Sequence, residues 1–170
     1  IDAIRVETHG GSLRIVAQPA GGPRPVSERV RALLGEEERL GLDREKTYRD
    51  LASRIDDRRD ALRELLVSLK DEGKRLAGYG APAKATTLMH HFGLGPDVIE
   101  FIVDDSPWKQ GLFSPGLHVP VLSSSEIYER RPDYLVVLAW NFAQPIMEKH
   151  QAFRDAGGHF VVPLPELSVY

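Results

Sequence analysis

The fold is decided by residues 75–84, which read RLAGYGAPAK. A short apolar segment leads here into a glycine-rich turn, and a helix-forming segment follows. Residues 78–83, GYGAPA, therefore match the pattern G-x-G-x-x-G/A in the strand-turn-helix context that gives it meaning. In that pattern the first glycine permits a tight turn, and the second lets the backbone approach a pyrophosphate. The third small residue, Ala83 here, allows the helix to pack closely on the strand.

The turn between this strand and this helix is a candidate anion site. Free N–H groups and the positive end of the helix dipole face the turn, and Lys84 adds a cationic donor in the first helical turn. These features predict a loop that binds a phosphate-bearing ligand. The alternative is a turn of small residues such as any α/β fold uses between a strand and a helix.

Short apolar strands alternate with helices from Lys74 onward, after a predicted helix C-cap at Gly73. The strands are predicted at Arg75–Tyr79, Val98–Val103, Val119–Leu122, Asp133–Ala139 and His159–Val162. The helices between them are predicted at Ala83–His91, Ser124–Arg130 and Ala143–Ala156. This alternation is typical of the α/β class and predicts a Rossmann-like three-layer α/β/α domain with a mainly parallel sheet.

The segment before this domain has a different pattern. Strands are predicted at Ala3–Thr8 and Ser12–Ala17, joined at Gly10-Gly11, where positive φ is easily adopted. A linker rich in proline and glycine then leads to a short helix between the N-cap Ser27 and Gly41. Two strands alone are not stable in water, so we expect this β-hairpin to pack on another part of the protein.

The chain is accordingly divided into residues 1–42 and residues 43–170. The second part is the Rossmann-like domain, and a long amphipathic helix capped by Asp43 leads into it. The chain opens at Ile1 directly in a strand-like segment, as an excised part of a longer protein would.

The composition limits the classes of function. A net charge of −3 over 170 residues, with both signs interspersed, favours neither nucleic acid nor an anionic membrane as a partner. No apolar run approaches the roughly 20 residues that span a bilayer, and no signal peptide is recognised, so a cytoplasmic location is expected. With no cysteine, and with six histidines that form no H-x-x-x-H pattern, we expect no metal site.

Two carboxylates follow the second strand of the domain. Asp104 and Asp105 stand at about the spacing at which the acid of a Rossmann fold accepts a ribose hydroxyl. The sequence Asp-Asp-Ser-Pro is also strong turn chemistry, so a capping or turn role is equally open.

The loop of residues 106–118 leaves the sheet at the edge where α/β proteins bind ligands. A loop of this length without its own secondary structure usually has a function. Trp108 can stack on a base, Lys109 and Gln110 can reach phosphate or carbonyl oxygens, and His118 titrates near neutral pH. The alternative is that the aromatic residues pin the loop to the domain, and for His118 we favour a structural role.

A polar amide lies between two large rings at the end of the fourth strand. Asn141 follows Trp140 and precedes Phe142. The favoured single role of Asn141 is to cap the helix that follows, while recognition of a base remains open.

Six separated segments carry a resemblance to a known family: His9–Arg14, Gly78–Lys84, Val103–Gly111, Pro115–Pro120, Leu138–Phe142 and Gly157–Phe160. In this order they resemble the C-terminal domain of S-adenosylmethionine-dependent sugar C-methyltransferases. The resemblance runs across nearly the whole chain, and several motifs in the right order are far more specific than the glycine turn alone.

The resemblance implies a division of labour within a longer enzyme. Members of that family combine a zinc-binding N-terminal domain, a central methyl-donor domain and a Rossmann-like C-terminal domain that helps to hold a nucleotide-linked keto sugar. Residues 1–42 would then follow a methyl-donor domain that binds S-adenosylmethionine, and this chain by itself would lack that site. The family's reaction removes a proton next to a sugar ketone, and the enolate attacks the donor methyl group.

The family's base lies in a central tyrosine, glutamate and histidine motif that has no counterpart here. We therefore assign no catalytic residue, with His118 as a weak candidate. The partners implied are a nucleotide-diphosphate sugar of deoxysugar biosynthesis, with dTDP as the expected nucleotide, and the preceding methyl-donor domain; a homodimer is a further option. The implied nucleotide-sugar-binding residues are Gly78, Tyr79, Gly80, Ala81, Lys84, Asp104, Trp108, Lys109, Gln110, His118, Trp140 and Asn141.

Two other functions are compatible with the same residues. An NAD-dependent oxidoreductase domain would use the glycine turn and Asp104, although the chain offers no obvious site for a hydride-accepting substrate. A non-catalytic module that senses a nucleotide is the second alternative, since one fold serves many functions.

Overall fold

The computed structural model describes residues 1–170, except for the side chain of His9. His9 is one of the residues quoted for the family resemblance, and its side chain lies outside the described part of the chain. The chain divides into two compact units, residues 1–54 and residues 55–170, and each is described by itself. Helix α2, Glu45–Asp71, contributes residues to both.

The first unit begins with the predicted strand pair, which the structure confirms. Strands β1, Asp2–Val6, and β2, Ser12–Val16, pair antiparallel. A 3-10 turn at Thr8–Gly10 connects them, and Gly10 and Gly11 both have positive φ, at 86° and 113°. The helix α1, Glu28–Leu40, then ends at Gly41 in the left-handed conformation expected of a C-cap.

Ser27 takes the N-cap position of α1, but its hydroxyl does not cap the helix. The hydroxyl donates instead to the Asp2 carboxylate at 2.7 Å, and the Arg29 guanidinium binds both oxygens of the same carboxylate. The hydrogen bonds from Arg29, which have the larger effect, and from Ser27 hold the pKa of Asp2 well below its usual range. The predicted N-cap position of Ser27 is therefore confirmed, but without a side-chain cap, because a charged acceptor competes for the hydroxyl.

The second unit is built on a six-stranded sheet in the order β5-β4-β3-β6-β7-β8. Its strands are β3 Leu76–Tyr79, β4 Ile102–Val103, β5 Val121–Leu122, β6 Tyr134–Val137, β7 His159–Val162 and β8 Ser168–Val169. The first five are parallel and β8 is antiparallel to β7. The mixed, mainly parallel sheet with helices confirms the predicted fold class. The sequence prediction missed β8 and made β4, β5 and β6 too long.

The helices of this unit mostly follow the prediction. They are α3 Ala83–Phe92, α4 Glu126–Arg130, α5 Ala143–Lys149 and α6 Gln151–Asp155. The single helix predicted at residues 143–156 is wrong, because His150 leaves the helical region at φ −110° and ψ 33° and its ring is buried. Among the residues that the structure describes, no helix is long and apolar enough to cross a membrane.

The two ends of α2 compare differently with the prediction. At its end Gly73 has a φ of 79°, and the amides of Gly73 and Lys74 donate to the carbonyls of Lys70 and Leu69. This is the predicted C-cap at Gly73. The helix begins at Glu45 rather than directly after Asp43, so the structure gives the predicted cap at Asp43 no support.

The hydrophobic core lies on both faces of the sheet, because successive strand residues point to opposite sides. On one face α2 and α3 supply buried side chains such as Leu66 and Met89, and on the other α4, α5 and α6 supply residues such as Ile127 and Phe153. Ala83 is exposed, so close packing of α3 is provided by Ala85 instead, which is 2% exposed.

Gly78 serves the core rather than the turn. It lies inside β3, and a Cβ atom there would come within 2.8 Å of Leu138 Cδ1 and 3.2 Å of Ile102 Cγ1. The predicted role of Gly78 in permitting a tight turn is therefore replaced by a packing requirement at the centre of the sheet.

We expect Gly78→Ala to lower the free energy of unfolding by about 1–3 kcal/mol, because an added methyl group overpacks a buried site. Urea unfolding followed by circular dichroism measures this. Gly35→Ala is the matched control: Gly35 lies within α1 with open space around it, so the same change should stabilise the chain by up to about 1 kcal/mol. Equal effects of the two substitutions would contradict this account.

Candidate functional site

The strand order places a crevice between the ends of β3 and β6. The order reverses between these two strands, and open α/β sheets bind ligands outside the carboxyl ends of the strands at such a switch point. Gly80 lies there with a φ of 91°, and a Cβ atom at this position would come within 2.7 Å of Ala139 Cβ. The close approach of Ala139 thus requires glycine at position 80, whether or not a pyrophosphate binds there.

The glycine turn is tied to the end of β4 by a buried carboxylate. The Ala81 amide donates to Asp104 Oδ2 at 2.7 Å, the Ser106 amide donates to Oδ1 at 2.9 Å, and Lys109 Nζ lies 3.0 Å from Oδ2. Burial raises the pKa of Asp104, but the hydrogen bonds from Ala81, Ser106 and Lys109 bring it below the ordinary value. Both oxygens are used within the chain, which favours the turn role for Asp104 over acceptance of a ribose hydroxyl.

The loop after Asp104 is an ordered hairpin. The amides of Gly111 and Ser114 donate to the carbonyls of Val121 and Val119, and Val121 donates back to Leu112, each at 2.8 Å. We call residues 111–121 the hairpin. As expected of this loop, no helix or strand lies in the fully described segment between Val103 and Val121. The loop is ordered by these backbone hydrogen bonds and by an isolated bridge between Phe113 and Pro120.

The hairpin and the residues before it place the predicted contact residues differently. Gln110 Nε2 donates to the Asp104 carbonyl at 3.0 Å, so it closes the loop together with Lys109. Trp108 is 86% exposed. His118 is exposed at the hairpin tip with a φ of 54°, and the structure brings no catalytic partner to it among the described side chains.

Lys84, Trp140 and Asn141 come together on the β6 side of the crevice. The Lys84 ammonium group lies 4.8 Å from the centre of the Trp140 ring and 5.8 Å from that of Phe142, and it donates to Asn141 Oδ1. Among the side chains that the structure describes, no carboxylate lies within 4 Å of it, whereas Lys109 and Lys149 each have one. A half-buried cation without a counter-ion is therefore present at the switch point.

Asn141 does not cap the helix, contrary to the favoured prediction. It lies inside a 3-10 turn, Trp140–Phe142, and the residue before α5 is Phe142. Its amide nitrogen Nδ2 is buried and has no hydrogen-bond partner within the described part of the chain. A buried donor of this kind is costly unless a further group satisfies it.

An open apolar groove runs from this cluster along α3. Its volume is about 430 Å³, and its lining includes Lys84, Thr87, Leu88, Phe92, Trp140 and Leu164. The groove gives the uncompensated cation an apolar surrounding, which strengthens its attraction for an anion.

Tyr79 faces away from this crevice. Its side chain packs with the core on the α4 to α6 face, and its hydroxyl donates to Asp105 Oδ2 at 2.9 Å. The hydroxyl oxygen also lies 3.0 Å from His150 Nε2, and the Tyr128 hydroxyl lies 2.9 Å from His150 Nδ1. The structure therefore gives no support to the predicted contact between the Tyr79 side chain and a nucleotide sugar.

The donors in this network fix the histidine tautomer. Because Tyr79 donates to Asp105, its oxygen accepts from His150 Nε2–H, and Nδ1 accepts from Tyr128. Lys149 Nζ completes the chain 2.7 Å from Asp105 Oδ1. Sequence reasoning missed Tyr128, which lies in α4, and His150, which lies in the turn between α5 and α6, because neither carries a local signal of a shared partner.

The pKa values follow from these contacts. Burial raises the pKa of Tyr79 well above its usual value, and the hydrogen bond that its hydroxyl donates to Asp105 raises it further. Burial, and then the charge of Lys149, lower the pKa of His150, so the neutral imidazole is the native form. Among the described side chains there is no cluster of three or more residues that could hold a metal ion.

The strand order, the glycine turn and the crevice at the switch point define a Rossmann-like α/β domain with a candidate anion site. Residues 7–165 match the family model described as the C-methyltransferase C-terminal domain, so the chain belongs to this family. It is 39% identical over 166 residues to the C-methyltransferase NovU of Streptomyces niveus. That alignment covers 98% of this chain and 40% of the relative, so the chain spans about two fifths of the length of the relative it matches.

We expect the free energy of unfolding to fall as the pH is lowered below about 6.5, the ordinary pKa of histidine. In this range the unfolded chain takes up a proton on His150 before the folded chain does, so acid favours unfolding. Urea unfolding at a series of pH values measures the slope. In His150→Gln, which keeps a polar side chain but does not titrate, the slope between pH 7 and 5 should be smaller. An unchanged slope would show that His150 does not carry this pH dependence.

Proposed function

We propose that this chain is the nucleotide-sugar-binding C-terminal domain of an S-adenosylmethionine-dependent C-methyltransferase that acts on a keto-deoxysugar. Membership of the C-methyltransferase C-terminal domain family and the likeness to the C-methyltransferase NovU support the methyltransferase part. The sequence resemblance described above supports the sugar substrate and the enolate chemistry.

The observation that carries the binding role is the uncompensated Lys84 cation at the switch point. A diphosphate placed over the first turn of α3 would accept from Lys84 and from the free amides of that turn. The ligand would at the same time have access to the unsatisfied Asn141 Nδ2. We place the sugar end on the β6 side, against Trp140.

The remaining predicted residues have supporting roles in this proposal. Asp104, Lys109 and Gln110 hold the loop in its position through the hydrogen bonds described above. Trp108 and His118 lie at the exposed rim, where a bound nucleotide sugar or a neighbouring domain would cover them.

The residues of this chain do not fit an adenosine ligand at the same turn. In a dinucleotide or methyl-donor site the acid after the second strand accepts a ribose hydroxyl. Here both oxygens of the buried Asp104 are occupied by Ala81, Ser106 and Lys109. We therefore propose that S-adenosylmethionine binds to a preceding domain, and the same observation argues against the NAD-dependent alternative.

We propose that the base that removes the proton next to the sugar ketone lies outside this chain. The two carboxylates after β4, Asp104 and Asp105, are each paired with a lysine and have lowered pKa values, so neither is suited to act as a base toward a ketone. The chain contributes orientation of the substrate, which raises the effective concentration of the reacting groups.

The first unit is proposed to lie next to the methyl-donor domain. Leu13 and Ile15 of β2 are 44% and 61% exposed, and an isolated strand pair needs further packing. A cytoplasmic location and a homodimer remain parts of this proposal that rest on the sequence alone.

A ligand panel tests the binding role. We expect dTDP and a dTDP-sugar to raise the melting temperature of the chain, because a ligand that binds only the native state stabilises it by mass action. NAD and S-adenosylmethionine should leave the melting temperature unchanged. Stabilisation by NAD and not by dTDP would overturn the proposal.

A substitution at Lys84 tests the proposed phosphate contact. We expect Lys84→Met to weaken binding of dTDP roughly 10- to 100-fold in calorimetric titration, since a hydrogen bond to a charged group contributes about 1.5–3 kcal/mol. Lys74→Met, at an exposed position beyond the end of α2, is the matched control and should bind as the unaltered chain does. Equal affinities of the two variants would show that Lys84 is not the phosphate contact.

A further inference from the structure

Tyr79 lies between the two glycines of the turn pattern, yet its side chain points away from the crevice. Its ring packs in the core on the α4 to α6 face, where its hydroxyl donates to Asp105 Oδ2 at 2.9 Å. Asp105 directly follows Asp104, the carboxylate that holds the Ala81 amide. The two residues on either side of Gly80 are therefore tied to two adjacent residues after β4, from opposite faces of the sheet.

The Tyr79 hydroxyl is the contact that fixes Asp105. Lys149 Nζ also lies 2.7 Å from Asp105 Oδ1, but both of these side chains are about half exposed. Such an ion pair contributes little, because water screens the charges and two long side chains must be ordered. The Tyr79 side chain is buried, so water has little access to its hydroxyl, and a hydrogen bond to a charged oxygen is of the stronger kind.

The buried His150 ring sets the direction of this hydrogen bond. The Tyr128 hydroxyl donates to His150 Nδ1, which leaves Nε2–H to donate to the Tyr79 oxygen. The proton of Tyr79 is then available to Asp105 alone. In the other tautomer of His150, Nε2 would be an acceptor, and Tyr79 could donate to the ring instead of to Asp105. The order of donors from Tyr128 through His150 to Tyr79 therefore ends on Asp105.

The position of the chain after β4 fixes more than the glycine turn. Asp104 also binds the Ser106 amide and Lys109, so the loop that leads to the hairpin starts from the same point. A recess of about 180 Å³ between the hairpin and α3 is lined in part by Ala81 and Lys109. A shift after β4 would therefore move the turn, the loop and the wall of this recess together.

We propose that Tyr79 is a positioning residue for the candidate anion site. Its hydroxyl, oriented by His150, holds Asp105, so that the neighbouring Asp104 stays in place to bind the Ala81 amide in the turn before α3. Tyr79 itself contacts no ligand. The effect of this contact on ligand binding rests on the proposed function, whereas its effect on the Ala81 amide is independent of any ligand.

Amide hydrogen exchange followed by NMR tests the inference without a ligand. Tyr79→Phe keeps the ring and removes only the hydroxyl. We expect it to speed exchange of the Ala81 and Ser106 amides roughly two- to tenfold, because the loss of one hydrogen bond favours local opening. A general loss of stability would instead speed the most protected amides of the sheet, such as that of Val136, and leave these two unchanged. That second pattern would overturn the proposal.

The matched control is Tyr48→Phe. It also removes a tyrosine hydroxyl that donates a hydrogen bond, here to the Leu42 carbonyl at 2.6 Å in the first unit. The exchange rates of the Ala81 and Ser106 amides should be the same in this variant as in the unaltered chain.

Affinity gives a second measurement. We expect Tyr79→Phe to weaken dTDP binding roughly two- to tenfold in calorimetric titration, and Asp105→Ala to have a similar effect. The double variant should bind no more weakly than either single variant, because both changes remove the same hydrogen bond. Effects that add in the double variant would show that Tyr79 does not act through Asp105.

The unaltered protein offers a measurement that needs no variant. In a chain labelled with 15N, the imidazole signals of His150 at about pH 7 should be those of a neutral ring protonated on Nε2. A ring protonated on Nδ1 would leave Tyr79 free to donate to His150, and the proposal would be wrong.

The outcomes separate this inference from the proposed function. If dTDP binds through Lys84, but Tyr79→Phe changes neither the affinity nor the exchange of the Ala81 amide, the inference fails and the proposed function stands. If no nucleotide binds while the exchange rates change as expected, Tyr79 positions the turn and the proposed function fails.

Discussion

The hydrogen bond from the Ala81 amide to the buried Asp104 carboxylate is the contact on which the geometry of the crevice depends. It joins the turn after β3 to the end of β4, and the same carboxylate holds the Ser106 amide and Lys109. A buried carboxylate is costly without such partners, so the turn and the following loop can keep this arrangement only together. The positions of α3 and of the hairpin follow from it.

This contact also uses the groups that a dinucleotide-binding protein with the same glycine pattern leaves free for its ligand. The amide and the acid that would meet a pyrophosphate and a ribose satisfy each other. Among the described side chains, the groups left uncompensated lie on the β6 side: the Lys84 cation, which has no carboxylate within 4 Å, and the Asn141 amide nitrogen, which has no hydrogen-bond partner. The uncompensated positive charge therefore lies in the first turn of α3, beside Trp140 and Asn141, and not in the glycine turn.

The two faces of the sheet differ: one carries the cavities, and the other carries a hydrogen-bond network. On one face, α3 lies between an apolar groove and a small recess, and both open at the carboxyl edge of the strands. On the other face, the buried Tyr79 and His150 and the exposed Asp105 form a chain of hydrogen bonds that links β3, the end of β4 and the junction of α5 and α6. Because every member is hydrogen-bonded, this chain adds specificity to the packing behind the crevice.

The fold class, the strand pair, the C-cap at Gly73 and the family could be read from the sequence, because local patterns such as alternating apolar strands and a glycine turn act over short distances. The sequence also indicated Lys84, Trp140 and Asn141 as candidate site residues. Four features emerged only from the folded chain: Asp104 is occupied by Ala81, Tyr79 points to the other face, helix 143–156 breaks at His150, and residues 111–121 form a hairpin. The hairpin pairs residues 5 to 10 apart, and the other three features depend on partners 22 to 71 residues apart, which leave no trace in a local pattern.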